Sequence, residues 1–194
     1  MGELVGRRRT GGRSARVRRA VLEATAQTVA ERGADAVNVG EIARQAGVHD
    51  TSIYRRWPTK EHLIFDALLD YSREHLPIPD TGTLRADLVA YMALVIDNSA
   101  TPIAQALIKA MAVTHDDAAM AAGRAQFWQF RFDQTRVMLD RAVTRGELAS
   151  DTDPLAALEL ITGALYFRLL LTREPFDDDI AGHFVDVLIN GLAR

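Results

Sequence analysis

The chain of 194 residues contains no cysteine. That excludes disulfide frameworks, thiolate zinc sites, iron–sulfur ligation and a cysteine nucleophile, and it fits a reducing compartment. Also lacking is any apolar run near the ~20 residues a membrane span needs. The basic N-terminus is followed by no apolar stretch before Val21, so neither a signal peptide nor, despite Arg7-Arg8-Arg9, a twin-arginine export signal is expected. No stretch shows sustained period-2 alternation, the mark of strands. Enzyme signals are poor as well. His49, His62, His75, His115 and His183 are scattered, with no His-Glu-x-x-His, nucleophile elbow, P-loop or GxGxxG. His115-Asp116-Asp117 and Asp151-x-Asp153 have the look of metal ligands, but helix-end caps explain both at less cost. No metal, cofactor or catalytic residue is expected, and the reading places the protein in the cytoplasm.

What is present is an asymmetry. The net charge is only −3. Yet residues 1–60 hold twelve basic against six acidic side chains, a net +6, while residues 61–194 hold eleven against twenty, a net −9. A basic head on an acidic body suggests one end that meets a polyanion; a basic tail with no partner is the plainer alternative. Residues 1–13, rich in Gly and Arg, read as a disordered arm.

From about Ala15 the periodicity is helical, with Val17, Ala20, Val21, Ala24 and Thr28 on one face and Gly33 closing the helix. Asn38 can cap the next helix, with Glu41 reaching back as in a capping box, and Gly47 ends it. A second short helix can begin near Asp50 and run through Ile53, Tyr54 and Trp57 to Pro58. Thr59 then caps a longer helix that breaks at Leu76-Pro77-Ile78-Pro79. Further helices are expected over about 84–98, 102–114, 117–145, 154–172 and 178–193, with Asp153-Pro154 as N-cap and first residue of the fourth of these. The chain is therefore read as all-α.

Residues 38–60, NVGEIARQAGVHDTSIYRRWPTK, carry the most information. Two short helices around a glycine turn make a helix-turn-helix. Ala43, Ala46 and Gly47 are small where the helices meet, and Val48, Ile53 and Trp57 anchor the second one. That leaves His49, Asp50, Thr51, Ser52, Arg55 and Arg56 facing outward, able to reach base edges or phosphates. Lys60 puts a cation beside the free amides of a helix start, which already attract phosphate. Two surface helices with a solvated polar face are the bland alternative.

This segment resembles the DNA-binding domain of the tetracycline-repressor (TetR) family of bacterial regulators. The resemblance rests on Val39-x-x-Ile42-Ala43-x-x-Ala46-Gly47-Val48 followed by Ile53-Tyr54-x-x-Trp57-Pro58-x-Lys60-x-x-Leu63. It implies phosphate contacts for Tyr54 and Lys60 and a recognition helix carrying His49, Asp50, Thr51, Ser52 and Arg55, with Asn38, Val39 and Arg56 beside them. Asn38-Val39 stands where a Thr pair is common, Thr51 where Gly is frequent, and Trp57 where Phe is usual. Asp50 either accepts from cytosine N4 or caps its helix.

Similarity also extends to Arg141-Ala142-x-x-Arg145-Gly146-Glu147-Leu148, Asp153-Pro154 and Leu165-Tyr166-x-Arg168-Leu169-Leu170, like one common C-terminal subtype. The domains implied are a basic arm (1–13), a three-helix DNA-binding domain (14–62) and a helical ligand-binding and dimerisation domain (63–194). The helix over 155–172 is apolar nearly all round, so it should be buried on two sides, either by core and partner or wholly within a monomer. The resemblance implies a homodimer joined through Leu158, Ile161, Leu165, Phe184, Val187 and Leu188. Met92, Ile96, Leu107, Met111, Phe127, Trp128 and Tyr166 line a ligand cavity or are plain core. Arg131, between Phe130 and Phe132, meets an acidic ligand or is simply exposed. The function implied is that of a repressor on a palindromic operator in double-stranded DNA, released when a small effector swings the helix at about 59–75, a coupling of ~1–3 kcal/mol. No membrane partner is expected. A helical small-molecule binder whose basic arm is incidental, and a helical enzyme, are the competing readings.

Overall fold

The computed structural model describes residues 10–112 and 118–192, and among them every regular element is helical. The order is α1 (Thr10–Arg32), a 3-10 turn (Ala34–Ala36), α2 (Val39–Gln45), α3 (Asp50–Tyr54), α4 (Lys60–His75), α5 (Leu84–Ser99), α6 (Pro102–Ala112), α7 (Ala118–Arg145), α8 (Pro154–Tyr166) with a π-helical continuation (Phe167–Thr172), and α9 (Ile180–Leu192). α1 starts at Thr10, inside the stretch expected to be an arm; residues 1–9 lie outside the described residues.

Contacts divide the chain into two compact units, Met1–Tyr71 with Pro102–Gly123, and Ser72–Thr101 with Arg124–Arg194. The division does not follow the 62/63 boundary expected from sequence. Leu63, Ile64, Phe65, Ala67 and Leu68 of α4 are all buried, and α6 packs along α1, so a cut at 62 would strip the first unit of its core.

In the first unit α1 turns Val21, Leu22, Ala26 and Val29 inward. The buried hydroxyls of Thr25 and Thr28 donate to the carbonyls of Val21 and Ala24, each at 2.8 Å, so neither hydroxyl is stranded. Gly123, in the first turns of α7, has no room for a side chain: a Cβ there would lie 2.1 Å from the Phe65 ring.

The second unit buries Leu88 and Met92 of α5, Met138 and Leu139 of α7, Leu158, Ile161 and Leu165 of α8, and Val185 and Leu188 of α9 in one cluster. Asp153 caps α8 by accepting from the amides of Leu155 (2.9 Å) and Ala156 (3.3 Å), as its sequence foretold. Fully buried Asp87 accepts from the Thr81 amide at 2.6 Å and hydroxyl at 2.7 Å, with Arg145 3.7 Å away. Nearby, burial pushes the Glu147 carboxyl up, but the Leu84 amide (2.6 Å) and the Arg145 guanidinium outweigh it and hold the group below its ordinary value. A depressed carboxyl contributes stability that is complete above its unfolded pKa, ~4.3 for Glu, and lost as pH falls through the folded value. Chemical denaturation at about pH 6 and pH 3 should therefore show a steeper acid loss for the wild type than for Glu147→Gln. Equal slopes would remove the role assigned to this carboxylate.

α8 and its continuation form a 19-residue helix, Pro154–Thr172, of mean hydropathy 1.6, long and apolar enough by length and composition to cross a membrane. This corrects the sequence reading, which found no run approaching that length. Glu159 and Arg168 interrupt it, and one side belongs to the core of its unit.

Candidate nucleic-acid interface

The site grows from local signals. The Asn38 side chain accepts from the Glu41 amide at 3.2 Å and starts α2; the Glu41 carboxylate does not reach back but pairs with Arg32 at 2.9 Å. Gly47 takes φ 67°, a conformation other residues resist, so α2 stops and the chain turns into α3. Ile42, Ala43, Ile53 and Trp57 close the seam from below. α3 is shorter than expected, ending at Tyr54, but the Arg56 and Trp57 amides still bond to the Ile53 carbonyl at 2.9 and 2.8 Å and bring Trp57 back under it.

With that seam sealed, His49, Asp50, Thr51, Ser52, Tyr54, Arg55 and Arg56 are exposed together, Tyr54 at 51%, and Lys60 is exposed at the first turn of α4. Asp50, the first residue of α3, accepts from the Thr51 amide at 2.7 Å, while the N-cap position is His49, whose side chain makes no capping bond. Arg56 leans over the Trp57 ring at 5.5 Å. Among the described residues, no carboxylate lies within ion-pair reach of Arg44, Arg55, Arg56 or Lys60. Cations left without an acidic partner among the described residues suit a phosphate-facing surface. Val39 is the exception among the residues expected here. Its side chain is buried at 7% because it starts the inward stripe of α2, so only its backbone faces out.

Sequence reasoning missed the brace behind α3. The Asp66 carboxylate accepts from the Trp57 indole at 2.9 Å and from Arg18 at 2.8 Å, while Asp70 takes the other arm of Arg18 at 2.7 Å. Burial works against the Arg18 charge, but the two carboxylates more than offset it and raise its pKa. Two acids at i and i+4 in the otherwise apolar stretch from Leu63 to Tyr71 are the available signal. The group is only partly buried, so the hydrogen bonds matter more than the charge. Asp66→Ala should cost about 1–2 kcal/mol by leaving the indole donor unpaired, read as a lower melting temperature; an unchanged melt would mean the brace is ornamental.

In the second unit the expected ligand residues are split. Met92 and Phe127 are core at 0% and 3% exposure, and Ile96 packs beside that core. Trp128 meets Tyr166 edge-on at 5.4 Å and stacks on Phe132 at 5.8 Å. Arg131 is not exposed; it is buried and donates to the Tyr91 hydroxyl at 2.6 Å. The side chains of Leu107 and Met111 lie outside the described residues. Of the residues expected at a dimer interface, Leu158, Ile161, Leu165 and Leu188 are buried in the core of their own protomer, Phe184 is half-buried beside it and Val187 is exposed, at 62%.

A sealed helix-turn-helix presenting uncompensated cations, followed by an all-helical body, defines a helix-turn-helix DNA-binding regulator. Residues 21–67 match the family described as bacterial regulatory proteins, tetR family, and residues 78–188 match the tetracyclin repressor-like C-terminal domain. The chain is 32% identical to the HTH-type transcriptional regulator AqdR of Rhodococcus erythropolis over 92% of this chain and 86% of that one. It is 32% identical to the DNA-binding transcriptional repressor TetR of Mycobacteroides abscessus over 90% and 93% of the two chains. The solved TetR family transcription regulator SCO0332 superposes with a TM-score of 0.79 at 30% identity, covering 90% of this chain and 97% of that one. The protein belongs to the TetR family of transcriptional regulators.

Proposed function

We propose that this regulator is a cytoplasmic, homodimeric repressor that leaves a palindromic operator when a small molecule binds its second unit. The observation that carries the DNA half is the exposed, unpaired set Thr51, Tyr54, Arg55 and Lys60 on a rigid seam. In this reading Tyr54 and Lys60 hold phosphates, while His49, Thr51, Ser52 and Arg55 face base edges. A single five-residue α3 reads few bases; two related by a twofold axis read half-sites about 34–36 Å apart. The dimer half of the proposal is supported by the outer side of α8 and its continuation, where Leu160 (64%), Phe167 (54%) and Leu171 (71%) recur at seven- and four-residue steps, and by Val187 of α9, exposed as well at 62%. The opposite side of the same helix is already core, which favours a protein partner over a lipid one. Named repression in the relative from Mycobacteroides abscessus supports the sign of regulation.

Fluorescence anisotropy with the promoter duplex beside its own gene tests the proposal. The protein should bind that duplex at least ~10³-fold more tightly than random DNA. Equal affinity for both at low salt would reject an operator there.

A further inference from the structure

We propose that Arg131 is the anchor of the effector site and that the effector is a carboxylate with an apolar body. The inference rests on the effector-binding reading of the second unit.

Arg131, on α7 within its unit, is 5% exposed as a residue. Its one hydrogen bond goes to the hydroxyl of Tyr91, and it lies 5.7 Å from the centre of the same ring. Among the described residues no carboxylate is within 4 Å of it. A guanidinium carries five N–H donors and cannot discharge itself by losing a proton. Burying an ion costs several kcal/mol, and a phenol does not repay it.

Nor are the unused donors sealed in. Among the described residues, Ser72 Oγ and Asp87 Oδ2 are the fully enclosed side-chain polar atoms without a partner; no nitrogen of Arg131 joins them. Its remaining N–H groups are therefore not fully enclosed, although the residue as a whole is withdrawn from solvent. A planar fork of donors fits a carboxylate two-pronged.

The surroundings define the rest of the ligand. Tyr91, Trp128, Phe132 and Tyr166 gather on α5, α7 and the end of α8, with Trp128 edge-on to Tyr166 and stacked on Phe132. Burial, then the neighbouring Tyr91, push the Tyr166 phenol up, against a smaller opposing pull from Arg131, so it stays neutral. The site thus offers a buried cation beside aromatic rings, with no carboxylate within 4 Å of it among the described residues. That suits a flat or fatty acid and disfavours a cation or a sugar.

Calorimetric titration of the intact protein with benzoate, 2-naphthoate and decanoate, each against its amide, tests this. At least one acid should bind once per protomer and at least tenfold more tightly than its amide. Arg131→Met should abolish that preference, and Arg131→Lys should keep part of it. Thermal melting separates anchor from scaffold: without ligand, Arg131→Met should melt at or above the wild type, because an unmatched buried charge has been removed. The proposal is overturned if none of the three acids binds below millimolar concentration, if acid and amide bind alike, or if ligand-free Arg131→Met melts several degrees lower. Release of promoter DNA by the bound acid is read separately: acid binding without release would leave Arg131 as an anion site and reject the effector role, whereas failure of promoter binding altogether would reject the operator.

Discussion

Replacing Leu160 and Leu171 together by Asp should turn the proposed dimer into a monomer and weaken binding to the proposed operator by about two to four orders of magnitude. Both side chains are largely exposed in the protomer, at 64% and 71%, so the protomer itself loses almost nothing. They lie eleven residues apart, three helical turns, with Phe167 between them on the same face. A twofold interface is self-complementary, so each substitution places two carboxylates in one apolar seam. Burying an uncompensated carboxylate costs several kcal/mol, and four of them exceed what such an interface supplies. Operator affinity then falls because the second reading head no longer binds as an intramolecular event, a loss of about 10²–10⁴. Sedimentation or light scattering reads the first effect and anisotropy the second. A variant that stays dimeric would move the interface elsewhere.

Sequence alone does not separate the inner side of α8 from the outer. Periodicity reports that a helix has an apolar face, but α8 is apolar nearly all round, so Leu158, Ile161 and Leu165 were indistinguishable in sequence from Leu160, Phe167 and Leu171. Only the packing of α5, α7 and α9 decides. The reading head was legible because its determinants are local: an Asn cap, a glycine at positive φ, a proline stop and apolar anchors three or four residues apart. Val39 failed there for the same reason as α8, since a valine at a helix start carries no label for its side. Nonlocal features stayed hidden. Neither the packing of α6 on α1 nor the reach of Asp66 to Trp57 and Arg18 leaves a periodic trace. Arg131 was open between pocket and solvent because flanking phenylalanines on a helix point away from it, and burial depended on Tyr91, forty residues earlier.

Substitutions on the reading head should divide into two kinds. Lys60→Ala and Tyr54→Ala should weaken binding to promoter and random duplexes by the same factor. Lys60 stands at the first turn of α4, where backbone amides and charge attract phosphate whatever the sequence. A dimer presents it twice, so losing it should lower the slope of log affinity against log salt by roughly 2. Arg55→Ala should act differently. It projects from the end of α3, unpaired among the described residues, and a guanidinium forked onto a guanine edge is worth about 1–3 kcal/mol per half-site. Two half-sites make that roughly 2–6 kcal/mol on the specific site and little on random DNA, so the ratio of the two affinities collapses while the salt slope hardly moves. Thr51→Val belongs with Arg55: it keeps the methyl, deletes the hydroxyl and should change which base pair is preferred at one position. The assignment of roles is reversed if Lys60→Ala alters base preference, or if Arg55→Ala weakens both duplexes equally, for then Arg55 is the phosphate clamp and Lys60 the reader.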